Sequence, residues 1–159
     1  MAFFIRREAD NWFKELQKHE LIRTQFDLYY LFFLKGISKL DKNPKMKNAD
    51  VLKELIEYFP SEYDGSKNII VGLLVNTELK RLGIPLDDKE NVQKKYNQIV
   101  EPESQSKLTT KGFTLMNEYA SRGYELFNQE LGNKPASLAP EFLINAYRNL
   151  YEEFNQSYN

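Results

Sequence analysis

The segment from Leu21 to Leu40 constrains the fold more than any other part of the chain. Leu21, Ile22, Phe26, Leu28, Tyr29, Tyr30, Leu31, Phe32, Phe33, Leu34 and Ile37 leave almost no polar face after Asp27. A helix that is apolar all round has to be covered on every side, by a core or by a partner. The flanking charges fall at helical spacing, which favours a helix over a buried strand. The chain has enough material for such a core, with 159 residues, 42% of them hydrophobic and 14% aromatic. That length suits one domain, and that aromatic content excludes disorder throughout. The most apolar runs, Leu28 to Leu34 and Ile69 to Val75, are far shorter than the roughly 20 residues of a membrane span. At the start, apolar Phe3-Phe4-Ile5 precedes Arg6-Arg7, the reverse of a secretory signal. We therefore expect a soluble, cytoplasmic chain.

Other segments carry one-sided stripes. Ala9, Trp12, Phe13 and Leu16 predict a first helix over about Arg6 to Lys18. Val51, Leu52, Leu55, Ile56 and Phe59 predict a third over Asp50 to Tyr58, capped by Asn48 or Asp50 and stopped by Pro60. The turn Ser61 to Ser66 leads into a fourth helix capped by Ser66 and reaching Leu82, with Ile69, Ile70, Leu73, Leu74 and Leu82 buried and Gly83 as its stop. A short strand near residues 69–75 is the alternative there. Asp87 and Asp88 suit a helix N-terminus, followed by Val92, Tyr96, Ile99 and Val100 on one stripe. Pro102 to Lys107 reads as a loop. A long helix follows from Thr110 to Leu131, ended by Gly132; Gly123 inside it predicts either close packing or a break. Pro140 opens a last helix to Phe154. The expected fold class is all-α, a compact bundle of about six to seven helices. Residues 1–159 form a single helical domain on this reading, with 133–159 an extra C-terminal helix that serves as a docking element.

The chemistry is narrow. There is no cysteine and one histidine, His19. Thiolate metal sites, disulfides, cysteine nucleophiles and paired-histidine catalysis within one chain are thereby excluded. Asp87, Asp88 and Glu90 lack the glycine and alternation of a calcium loop, so they read as a helix start. Asp64 followed by Glu78-Leu79-Lys80 resembles a metal-dependent nuclease signature, two carboxylates for magnesium and a lysine beside the attacking hydroxide. That chemistry needs Glu78 and Lys80 on one face of a strand, whereas a helix separates them. The Tyr and Phe stripes have helical spacing and read as core. No catalytic residue, metal or cofactor is assigned.

Charge is uneven. The net charge is −1, yet Lys35, Lys39, Lys42, Lys45, Lys47 and Lys53 face only Asp41 and Asp50 between residues 35 and 53. Lys35, Lys39 and Lys42 are spaced to share a helical side, and Lys45 and Lys47 continue it. Such a cluster suits duplex or nicked DNA, contacted through backbone phosphates; the alternative is a solvated lysine-rich surface.

The order of parts resembles the small helical DndE family, associated with DNA phosphorothioation and phage-defence loci. The likeness rests on Leu16 through Arg23 to Leu34, on the turn Ser61-Glu62-Tyr63-Asp64-Gly65 before an apolar segment, and on Tyr119-Ala120-Ser121-Arg122-Gly123-Tyr124-Glu125-Leu126-Phe127. In that family a similar Arg-Gly followed by apolar residues sits near the C-terminus. The likeness spans about residues 12–131. The extra helix and the absence of a net basic charge depart from it. The resemblance implies a non-catalytic DNA-associated accessory subunit of a bacterial defence or DNA-modification complex that forms oligomers. A purely protein-binding adaptor or inhibitor is the alternative, and a small metal-dependent nuclease a third. Partner contacts are expected at Phe32 and Phe33 on the second helix, and at Tyr147, Leu150, Tyr151 and Phe154 on the last. A larger protein partner and further copies of the chain are the expected company.

Overall fold

A computed structural model describes residues 1–17, 22–43, 51–131 and 139–158. His19, Lys45, Lys47, the cap candidates Asn48 and Asp50 and the stop at Gly132 lie outside the described residues. The elements in chain order are β1 (Phe3–Arg6), α1 (Ala9–Leu16), α2 (Gln25–Ser38), β2 (Leu52–Ile56), a single 3-10 turn (Ser61–Tyr63), α3 (Lys67–Arg81), α4 (Lys89–Ile99), α5 (Thr110–Leu131) and α6 (Ala139–Tyr158). The protein is mostly helical, as expected, with six α-helices among the described residues.

Two strands correct the all-α expectation. The stretch expected as a helix over Asp50 to Tyr58 is instead β2, paired antiparallel with β1 so that Phe4 faces Glu54, Ile5 faces Lys53 and Arg6 faces Leu52. Alternation along β1 turns Phe3 and Ile5 inward and leaves Phe4 and Arg6 half-buried. The apolar positions of β2 fit a helical stripe as well as a strand. Its backbone partner, some 50 residues earlier in the chain, decides between them. Residues 69–75, where a strand was the alternative, are helical throughout.

α2 is the buried centre. Its start is a capping box: Thr24 Oγ1 accepts from the Asp27 N–H at 3.2 Å, while Asp27 Oδ2 accepts from the Thr24 N–H at 2.9 Å. The far oxygen of Asp27 accepts from the Tyr63 hydroxyl at 2.6 Å, which ties the 3-10 turn to the helix. Phe26, Leu28, Tyr29, Leu31, Phe32, Phe33 and Ile37 are all buried, so the helix is covered on every side as its composition demands. The covering comes from β1, α1, α5 and α6. Phe3 meets the rings of Phe26, Tyr29, Phe59 and Phe113 at centroid distances of 5.0–5.5 Å. Trp12 meets Phe32 and Tyr124 at 5.5 and 5.7 Å.

The α2–α5 crossing is closest at two glycines. A Cβ on Gly36 would strike the backbone carbonyl of Tyr119, and one on Gly123 would strike that of Phe32. Positions 32 and 36 are one turn apart on α2, and 119 and 123 are one turn apart on α5. Each glycine therefore admits the other helix's backbone. Gly123 marks close packing and α5 continues through it unbroken.

One side chain locks β1 onto this pair. Asn117 of α5 accepts from the Phe4 N–H at 3.0 Å and the Tyr29 hydroxyl at 2.7 Å, and donates to the Ala2 carbonyl at 3.0 Å. Asn117→Leu leaves those groups without partners in a dry setting, and is expected to lower the unfolding free energy by about 2–3 kcal/mol. A urea titration followed by circular dichroism checks it.

The remaining helices follow most of the sequence signals, except that Ser66 stands at the N-cap of α3 without a side-chain capping hydrogen bond. Asp88 caps α4 by accepting from Asn91. Gly83 follows α3 with φ +68°, the left-handed value that a residue with a Cβ resists.

Candidate functional site

Of the lysines read as a phosphate-binding patch, the three that are described, Lys35, Lys39 and Lys42, are engaged within the chain. Lys35 is 1% exposed. Its Nζ lies 2.8 Å from Glu130 Oε1 and 3.1 Å from Glu153 Oε1, over the Phe127 ring. Lys39 Nζ lies 3.1 Å from the same Glu153 oxygen, and the Ser38 hydroxyl donates to the other at 2.8 Å. Burial pushes the Glu153 carboxyl up, but the hydrogen bonds from Ser38, Lys39 and Lys35 outweigh it and hold the group below its ordinary value. Lys42 Nζ sits 3.3 Å from Glu78 and 3.4 Å from Glu118. The inferred common side of Lys35, Lys39 and Lys42 faces glutamates of α3, α5 and α6. These three do not form a free basic surface.

Glu78 is equally removed from solvent, at 1% exposure. Besides Lys42 it accepts from the Arg81 guanidinium at 2.8 Å. Burial and then the Glu78 charge push the nearby Tyr119 hydroxyl above its ordinary value. α3 is helical, so Glu78 and Lys80 sit about 200° apart around its axis. Asp64 lies on an exposed turn, 3.6 Å from Lys67. Among the described residues no group of three or more acidic or histidine side chains converges as a cation would require. Glu78 therefore sits as a structural counter-ion for Lys42 and Arg81.

The expected partner residues separate into two kinds. Phe32, Phe33 and Leu150 are core residues, because α5 and α6 close over α2. Tyr147 and Phe154 are half-buried against that core. Tyr151 is 70% exposed.

A surface that the sequence did not reveal lies between α3 and α4. Ile69 and Leu82, expected inside, are exposed, and so are Leu86 and Tyr96. Between the helices runs a groove of about 460 Å³. Val71, Gly72, Val75 and Leu79 line it along α3, with Leu86 and Tyr96 opposite. The signal was a surplus: α3 has more apolar positions than one inward stripe can hold. Ile70 and Leu74 take the core, and Ile69, three residues after Ser66, turns outward.

No known protein family matches the chain, and comparisons with curated proteins and with solved structures find no match. Among the described residues no helix is long and apolar enough to cross a membrane.

Proposed function

We propose that this chain is a non-catalytic, protein-binding adaptor that acts within a larger assembly. The observation that carries this reading is the apolar α3–α4 groove with Leu86 and Tyr96 open to solvent on its wall. Contiguous apolar surface of this kind marks a docking site, because leaving it wet opposes the tendency that buries α2. The pairing of Lys35, Lys39 and Lys42 with glutamates supports a protein partner over a nucleic acid.

The second reading is a DNA-associated accessory subunit of a bacterial defence or DNA-modification complex, akin to the DndE family. It is favoured by Lys39, whose side chain is 45% exposed and which precedes Lys45 and Lys47 in sequence. Fluorescence anisotropy with duplex and nicked DNA at two salt concentrations decides between the two. The adaptor reading predicts no salt-sensitive binding. The DNA reading predicts binding that weakens with salt, with a slope reduced by about one in Lys39→Glu.

A further inference from the structure

Among the described residues four glycines lie inside helices, and three have an internal reason to be there. Gly36, Gly112 and Gly123 each meet another segment's backbone too closely for a Cβ. Gly72 does not: a Cβ placed on it meets nothing within 4 Å. A glycine in mid-helix weakens the helix relative to alanine, and nothing inside the protein requires this one. It lines the α3–α4 groove. The space above it is open to the close approach of a second backbone.

The chain carries an element that matches this groove. The outward face of α6 presents Ile144 and Tyr151, 54% and 70% exposed, while Leu143, Ala146 and Leu150 hold its other side in the core. Ile144 and Tyr151 are two helical turns apart, about 10.5 Å along the axis. Gly72 and Leu79 have the same separation along the groove. The charges also match. Lys107 is the sole charged side chain among the described residues lining the groove, and no carboxylate described there pairs with it; its Nζ donates to the Pro102 carbonyl. The outward face of α6 carries exposed Glu152, which is in no ion pair among the described residues. Glu101 and Glu103, on either side of groove-lining Pro102, suit Arg148 between the two apolar side chains.

We propose that the α3–α4 groove receives the outward face of α6 from a second copy of this chain, so that copies join head to tail. This rests on the adaptor reading and names the occupant of its groove. Groove and helix face are different surfaces, so the contact is heterologous and generates rings or open chains.

The test is the mass of the full chain by light scattering over its soluble concentration range. Gly72→Leu fills the groove and Ile144→Glu/Tyr151→Glu removes the inserting side chains. Circular dichroism confirms the fold, and Leu86→Glu, at a 71% exposed position, is a second groove variant should Gly72→Leu fail to fold. The wild type should grow beyond a monomer with concentration. Each variant alone should associate roughly tenfold more weakly or less. An equimolar mixture of one groove variant and the α6 variant should give a dimer of one of each, since one intact groove and one intact face remain. A wild type that stays monomeric overturns the proposal, and so does self-association that the variants leave unchanged or a mixture that forms no dimer. A monomeric wild type whose groove still captures another protein would overturn self-docking and leave the adaptor reading standing.

Discussion

Gly123→Ala should lower the unfolding free energy by about 3 kcal/mol, although alanine is the better helix former by about 1 kcal/mol. The added methyl meets the Phe32 carbonyl, a backbone atom in the middle of a buried helix, and no rotamer change can relieve it. α2 and α5 must separate, which loosens the Trp12, Phe32 and Tyr124 ring contacts on one side and the Asn117 clamp on the other. Gly36→Ala should act in the same direction through the Tyr119 carbonyl. The double variant should cost less than the sum, because the first separation makes room for the second methyl. Gly72→Ala is the control of opposite sign: with open space around it, the substitution should stabilise by about 0.5–1 kcal/mol. Urea unfolding of the four variants measures all of this. A destabilising Gly72→Ala would contradict the open surroundings assigned to that position.

Lys35→Met is expected to cost about 2–3 kcal/mol at neutral pH. The methionine keeps an unbranched apolar side chain in place but gives up the Nζ contact over the Phe127 ring. What is lost is the cation between Glu130 and Glu153. Glu130 is half-exposed and turns to water, whereas Glu153 is largely shielded and retains only Lys39 and Ser38. The effect should depend on pH. The Glu153 carboxyl is held below its ordinary value of 4.5 in the folded protein. Its contribution to stability is therefore complete above that ordinary value and is lost as pH falls through the lowered folded value. The wild type should lose more stability than Lys35→Met over that acid range, so the two unfolding curves should converge. A difference that stays constant from neutral to acid pH would place the lost stability in packing and not in the ion pair.

The parts of the fold that were legible in the sequence are those set by short-range physics. Asp88 opens α4, and the apolar run of α2 announces a central helix, although its Thr24–Asp27 capping box was not read. Gly123 signalled either close packing or a break, and the approach of the Phe32 backbone decides for close packing. What was not legible depends on distant partners. β2 has a helix-compatible pattern and is a strand because β1 lies beside it. Lys35, Lys39 and Lys42 have the spacing of one basic side, but Glu78, Glu118, Glu130 and Glu153 meet that side from elements far along the chain. A local charge tally cannot include them. The α3–α4 groove was hidden for a related reason: Tyr96 on its wall, like the exposed Ile69 and Leu82 that do not line it, looks like core until the core is seen to be filled by others.

The most direct test of the central claim is photo-crosslinking from the groove in the cells or extract that make the protein. A photoreactive side chain at Leu86 should give discrete protein adducts that disappear when Gly72→Leu fills the groove. The same probe at exposed Glu62, on the 3-10 turn, should give none. Adducts of equal yield from positions 86 and 62, or adducts from 86 that survive Gly72→Leu, would contradict a docking role for the groove.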